Sequence, residues 1–431
     1  MGSSNSKNKD SFLKETLQEH TDAINCIAIS EDGSLLVTGS EDSTARMWST
    51  KTEDTECLGA LEGHTSYITC ITVTDTFIIT GSADSTIRKW DMTTCECVFL
   101  FQGHTSKVNR VICTGEFIFS TSSDKTAKAW VFDAEELDDD ALTRVCLRTF
   151  KDHMRPVFPV IFIPTENDDG LDDGNINPGD LVITGSNDGT ARSWSFDTGG
   201  CLKVFKGHRG PVTCMATDPA GKMLYTGSND HSIRCWVIQT GECRKELSGH
   251  HGAILCLSVV NKLMYTASAD STAKCWVREF GDCTRDYKGH NHSVTSIKFH
   301  EGILYTGCGD AIARAYDAKS GAIKREFKGP ERAINCLAVC DNKLYTADAM
   351  GVLRVWDTTG LGDDIAHAHH EDTPVVAENS DRNLSALDKR LDGYVEEPDV
   401  DSQIVSSPSP RPKSPEMDDE LSMLEKQLDQ D

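Results

Sequence analysis

The sequence predicts an all-β chain: eight copies of one four-stranded sheet closed into a ring, with an acidic segment after it. Three observations carry this. Gly-His pairs recur, and about twenty residues after each comes an Asp, then six residues later an aromatic. Thus Gly63-His64 leads to Asp84 and Trp90, Gly103-His104 to Asp124 and Trp130, and Gly249-His250 to Asp270 and Trp276. The closing aromatics, Trp48, Trp90, Trp130, Trp194, Trp236, Trp276, Tyr316 and Trp356, stand 40 or 42 residues apart except at one longer gap. Each interval holds short β-rich runs separated by small polar turns. That period and that content describe a blade of an eight-bladed β-propeller.

The unit ending at Trp276 shows why. Ala253–Val259 supplies an inner strand. Leu263–Thr266 alternates and supplies the second, Ala267–Ser271 a tight turn, and Thr272–Trp276 the third. The stretch before Gly289-His290 supplies the outer strand. One such meander cannot bury both faces, but stacking between two like neighbours buries them. Ring closure follows from the two ends of the repeat. Phe12–Leu17 precedes His20 as an outer strand precedes every later His, and it has no blade of its own. The eighth unit stops after Trp356 without an outer strand, so the N-terminal strand is expected to complete it.

These residues make the chain resemble the WD-repeat family over residues 12–357. The resemblance implies a polar relay of His, Ser or Thr, Asp and Trp in each blade. The matching residues are His20, Thr38, Asp42 and Trp48; His64, Thr80, Asp84 and Trp90; His104, Ser120, Asp124 and Trp130; His208, Thr226, Asp230 and Trp236; and His250, Thr266, Asp270 and Trp276. A His–Asp pair beside a hydroxyl also looks like a catalytic triad, but one constellation repeated around a ring is structure rather than a site. Tyr316 keeps a polar-tipped aromatic in the seventh unit. The eighth has Pro330 and Met350 where His and Asp belong, which leaves no orphan charge but makes this blade the expected weak one.

Composition narrows the function class. No stretch of eighteen apolar residues and no signal-peptide core is present. The chain has 17 cysteines, an odd number. Their positions follow the repeat: Cys26, Cys70, Cys214, Cys256 and Cys336 share one inner-strand place, and Cys57, Cys97, Cys146, Cys201, Cys243 and Cys283 sit seven residues before a His. They read as small buried apolar side chains of a cytoplasmic protein. Cys95-Glu96-Cys97 lacks a second pair of metal ligands.

The net charge of −25 is uneven: residues 358–431 hold 19 acidic and six basic side chains, and residues 131–147 and 164–180 six acidic each. The propeller body is nearly neutral, which opposes general nucleic-acid binding. Both acidic insertions flank the fourth His, and the family layout puts them on the face opposite the His-bearing loops. Asp173, Asn175 and Asn177 have the spacing of a calcium loop, but Pro178 stands where Gly is needed and no Glu closes it. No metal or cofactor is expected.

By the same resemblance, partners meet the rim beside each His, where Tyr67, Lys107, Arg155, Phe158, Arg209, His251, His292 and Arg332 are the candidates. Lys or Arg two before every aromatic, from Arg46 to Arg354, belongs to the strand pattern. The start, Met1-Gly2-Ser3-Ser4-Asn5-Ser6, fits N-myristoylation at Gly2, which gives only marginal, reversible membrane contact. The three segments are a flexible arm (1–11), the propeller (12–357) and an acidic, disordered tail (358–431). In the tail, Ser407, Ser409 and Ser414 each precede Pro and suit proline-directed phosphorylation. The chain is expected to be a monomeric, non-enzymatic scaffold that binds proteins or peptides. The alternative is a substrate receptor of a ubiquitin ligase. Against one version of it, Trp90-Asp91 and Trp356-Asp357 are followed by Thr93 and Thr359 where cullin adaptors carry Arg.

Overall fold

The computed structural model describes residues 12–362 except 53, 115, 134–144 and 166–175. Thirty-two strands form eight four-stranded antiparallel sheets. Each blade runs from an inner strand at the ring axis to an outer strand at the rim. Blade 6 is representative: Ile254–Val260, Leu263–Ser268, Ala273–Val277 and Cys283–Tyr287. Neighbouring inner strands contact one another around the circle, and that of blade 8 (Ile334–Cys340) meets that of blade 1 (Ile24–Ile29).

The turns follow from sequence. Val260 pairs directly with Leu263, leaving a two-residue hairpin whose Asn261 adopts a left-handed φ of 50°. Between the second and third strands, the relay Asp makes the turn itself. In blade 2 the Asp84 carboxylate accepts the Thr86 N–H at 2.9 Å, and the intervening Ser85 takes a φ of 70°. The residue after the Asp, or after Met350 in blade 8, is left-handed in every blade.

The apolar core lies between blades. Eight clusters of buried side chains occur among the described residues, one per junction. Trp90 of blade 2, 1% exposed, packs with Val37, Met47 and Leu61 of blade 1. Trp48 of blade 1 packs with Ala338, Tyr345 and Val355 of blade 8. Truncating such a Trp costs about 3–5 kcal/mol.

The last junction is closed by the N-terminal strand. Leu13–Leu17 pairs antiparallel with Leu353–Asp357, Leu13 opposite Trp356 and Leu17 opposite Leu353. The Glu15 carboxylate accepts the backbone N–H of Thr55 at 2.8 Å, tying this strand to blade 1. The strand also spans two clusters, since Leu13 packs at the junction of blades 7 and 8 and Leu17 at that of blades 8 and 1.

Cations on the outer strands staple further neighbours. Lys245 donates to the Glu279 carbonyl at 2.6 Å, and Arg325 reaches the carbonyls of Asp357 and Thr359. Between blades 2 and 3 the buried Lys89 ammonium lies 4.0 Å from the Phe77 ring centroid and 3.8 Å from that of Phe132. It donates to the Phe132 carbonyl and to Asp133, each at 3.0 Å. The acidic insertions fall mostly on residues 134–144 and 166–175, outside the described residues. No described helix is long and apolar enough to cross a membrane.

Candidate partner-binding face

In blades 1 to 6 the relay is complete. In blade 2, His64 Nδ1 lies 2.7 Å from Asp84, His64 Nε2 lies 2.8 Å from Thr80 Oγ1, and Trp90 Nε1 donates to the same hydroxyl at 2.8 Å. The proton order follows from the partners. The Thr oxygen accepts the Trp N–H, and its buried O–H finds its acceptor in His Nε2. The imidazole is then neutral and gives its Nδ1 proton to the carboxylate. Asp84 also accepts from the Thr65 and Thr86 amides and the Thr86 hydroxyl, at 3.0, 2.9 and 2.6 Å. A carboxylate so filled tolerates its covered position.

The same geometry holds His104, Ser120, Asp124 and Trp130; His208, Thr226, Asp230 and Trp236; and His250, Thr266, Asp270 and Trp276. His20, Thr38, Asp42 and Trp48 make the first relay. The fourth, which the sequence pattern hid behind an insertion, is His153, Thr184, Asp188 and Trp194, with His153 Nδ1 2.9 Å from Asp188. Its signal was the Gly185-Ser186-Asn187-Asp188 run six residues before Trp194.

The electrostatics match a structural role. Burial works to raise the Asp84 carboxyl, but hydrogen bonds from His64 and Thr86 outweigh it and hold the group well below the usual carboxylate range. Asp124, Asp188 and Asp270 are held down in the same way, and Asp230 at about 2. Burial lowers the imidazoles of His20, His104 and His208 against the pull of their aspartates. In blades 1 to 6 each relay hydroxyl is buried between an imidazole and an indole.

The two altered blades solve the problem differently. In blade 7, Ile312 replaces the hydroxyl that caps Asp in the other relays. Arg314 enters instead, donating to Asp310 at 2.9 Å and to Glu326 at 2.8 Å, with its other contact on His290 Nδ1. Burial, reinforced by Arg314, lowers His290 to about 4. His290, Cys308 and Asp310 lie close enough to ligate a metal, but the guanidinium is already bonded to two of them. Tyr316 points its hydroxyl to the Lys288 carbonyl at 3.2 Å rather than to Thr306.

Blade 8 is not simply stripped. Asp348, two residues before Met350 and 1% exposed, forms a buried ion pair with Arg354 and accepts the Met350 and Val352 amides at 2.9 and 3.1 Å. Its acceptor sites are therefore filled by a cation and two amides instead of an imidazole. Thr346 still accepts from Trp356 at 2.8 Å.

The recurrent cations before the aromatics lie on the third strand of each blade, and in blades 7 and 8 they are the buried Arg314 and Arg354 of the altered relays. Arg88 sits 5.8 Å from the Trp90 ring centroid and donates to Cys97 Sγ at 3.5 Å. One reading of the cysteines needs correction. Of the inner-strand thiols Cys70 is buried and Cys26, Cys214, Cys256 and Cys336 are half-buried, and burial pushes Cys214 and Cys336 up to about 12. The outer-strand set is more open: Cys57, Cys243 and Cys283 are exposed, and Cys97, Cys146 and Cys201 half-buried. Their position opens onto the rim beside Arg or Lys, not into a junction.

The loops carrying the relay histidines form one face of the ring. There Arg155, Arg209, His251, His292 and Arg332 are exposed, and Tyr67, Lys107 and Phe158 are half-buried. Lys107 lies 5.8 Å from the Tyr67 ring centroid. Met154, 74% exposed, also stands on this face and was not among the candidates. Its signal was an apolar residue directly after His153, where the other relays carry Thr, Arg, His or Asn. Gly2, Ser407, Ser409 and Ser414 lie outside the described residues.

Comparison with known proteins agrees with this geometry. The chain is 47% identical over 204 residues to human WD repeat-containing protein 86, a match covering 47% of this chain and 51% of that protein. It thus spans about half the length of the curated relative it matches. Among solved structures, yeast (Saccharomyces cerevisiae) Sqt1 superposes with a TM-score of 0.70 at 16% identity, over 81% of this chain and 99% of that one. The computationally designed Ika8 protein gives 0.67 at 24% identity, over 79% and 98%. The "WD domain, G-beta repeat" family matches residues 12–49, 55–91, 95–130, 199–237, 241–277 and 281–317, together just over half of the chain. With those six repeats matched and eight blades closed, the chain belongs to the WD40 repeat family.

Proposed function

We propose that the protein is a non-catalytic scaffold that holds protein or peptide partners on its His-bearing face. One observation carries this reading. The recurring His, Asp and hydroxyl groups are engaged in relays that build the fold, whereas the face above them presents exposed Arg side chains with no side-chain partner among the described residues. Arg155, Arg209 and Arg332 make no side-chain hydrogen bond or ion pair among the described residues. Aromatic and Arg side chains around a rim are the groups that dominate binding energy at interfaces. Affinity purification with mass spectrometry tests it. Partners captured by wild type should be lost from an Arg155→Glu/Arg209→Glu/Arg332→Glu variant that melts like wild type. An unchanged partner set would overturn the reading.

A lipid anchor is part of the proposal. The Gly2 and Ser6 pattern supports N-myristoylation and a reversible membrane-associated fraction beside a cytoplasmic pool, with the acidic tail opposing contact with an anionic leaflet. Labelling with a clickable myristate should mark wild type and not Gly2→Ala. Equal labelling of both would end this part of the proposal.

A further inference from the structure

One sector of the His-bearing face differs from the rest in charge, and one of its cations stands on an inner strand. At the third position of the inner strands, five side chains lie over a glycine of the neighbouring strand: Cys26 over Gly39, Cys70 over Gly81, Pro159 over Gly185, Cys214 over Gly227 and Ser296 over Gly307. In each case the covering atom sits where a Cβ on that glycine would be, 2.5–2.8 Å away. Blades 6 and 8 have Ala267 opposite Cys256 and Ala347 opposite Cys336 at that place, and blade 3 has Thr121 opposite residue 110. Thr121 is fully buried and donates to the Phe158 carbonyl at 2.7 Å, so the space is filled. Residue 110 is Arg and is exposed, where Cys70 is buried and Cys26 and Cys214 are half-buried. Arg110 stands on the inner strand Val108–Cys113, at the ring axis.

Around this axial charge stand Lys107 and Lys125 of blade 3, Arg155 of blade 4 and Arg209 of blade 5. None of the five cations pairs with a carboxylate among the described residues. The carboxylates of the sector are otherwise engaged. Asp124, Asp188 and Asp230 belong to relays, and Asp152 lies 3.6 Å from Arg192. Exposed Met154 and half-buried Phe158 lie among the cations. Across the ring, blades 8 and 1 present the exposed acids Glu331, Asp22 and Glu41 beside exposed Arg332.

We propose that the sector of blades 3 to 5 is a docking site for an acidic, Asp/Glu-rich protein segment carrying an apolar side chain, with Arg110 meeting a carboxylate at the mouth of the ring. This rests on the reading of the His-bearing face as the binding face. Charge complementarity favours such a segment. Cations without carboxylate partners on three consecutive blades attract carboxylates within a Debye length of about 8–10 Å, although the whole chain is negative. Met154 and Phe158 give an apolar side chain a place to pack, which a nucleic-acid backbone would not use.

Fluorescence anisotropy tests it, with the full chain and a labelled peptide alternating Asp and Glu around one Leu. Binding should appear at low salt, weaken as salt rises, and fall at least about tenfold in Arg110→Glu/Arg155→Glu/Arg209→Glu. Reversal of outer-strand cations, Lys203→Glu/Lys245→Glu, should leave it unchanged. No binding, equal loss in both variants, equal binding of the Asn/Gln analogue of the peptide, or tighter binding of a single-stranded oligonucleotide would each overturn the proposal. If the peptide fails while partner capture still depends on Arg332, the acidic-segment inference falls and the platform reading survives.

Discussion

At the residue scale, the relay converts a costly group into a fixed one. Asp84 accepts four donors from three residues, and removing it leaves the His64 Nδ1–H and two amides without their acceptor. We predict that Asp84→Ala destabilises by about 2–4 kcal/mol, whereas Met350→Ala, at a side chain 48% exposed, changes stability by about 0.5 kcal/mol or less. Equal shifts in urea midpoint would contradict this. Asp348 is the hidden counterpart in blade 8. Asp348→Ala strands a buried guanidinium and should cost about 3 kcal/mol, while Asp348→Ala/Arg354→Met should recover most of that loss. A double variant no more stable than the single one would show that the pair is not what matters.

The pH response follows from the same groups. His20, His104, His208 and His290 have imidazoles lowered from 6.5, so the unfolded chain binds more protons between 6.5 and the folded values, about 4 for His290. Stability is therefore full above 6.5 and falls as pH drops through that window. The relay carboxyls are lowered from 3.8, so their contribution is present above 3.8 and is lost as pH falls further. The melting temperature should decline on the acid side in two successive windows. A flat profile from pH 7 to 4 would contradict the neutral, buried imidazoles.

At the element scale, the least ordinary piece is the strand Leu13–Leu17. It is separated by the whole propeller from its partner Leu353–Asp357, yet it fastens both flanking clusters. Deleting residues 1–11 should leave the melting temperature unchanged. Deleting residues 1–17 should destabilise strongly, because blade 8 then exposes an unpaired edge and both clusters lose side chains. Equal melting of the two truncations would show that the ring does not need its clasp. Much at this scale was legible from sequence, because strand, turn and relay recur at fixed spacing. The fourth relay was not read because an insertion stretched the interval between His153 and Asp188. Asp348 was missed because its pattern position belongs to Ser, and nothing local shows that a carboxylate there would meet Arg354. The exposure of Cys57, Cys243 and Cys283 depends on which sheet face lies at the rim, which periodicity alone does not give.

At the scale of the whole molecule, the propeller separates stability from recognition. Cores at the eight junctions and relays beneath the loops hold the ring, so loop residues are free to vary in charge and size. The two meet in blade 3, where the inner strand carries exposed Arg110 opposite buried Thr121. Family membership and closure could be read from the repeat. The charge pattern of the face could not, because it depends on which cations find partners in space. The most direct test of the account is site-specific photo-cross-linking of the full chain in cells, with the reactive residue placed at Arg155, His292 or Arg332 on the His-bearing face, or at Lys203, Arg244 or Glu279 on the outer edge. The account predicts adducts to partner proteins from the first three positions and none from the second three. Adducts confined to the outer edge, or equal from both sets, would contradict it.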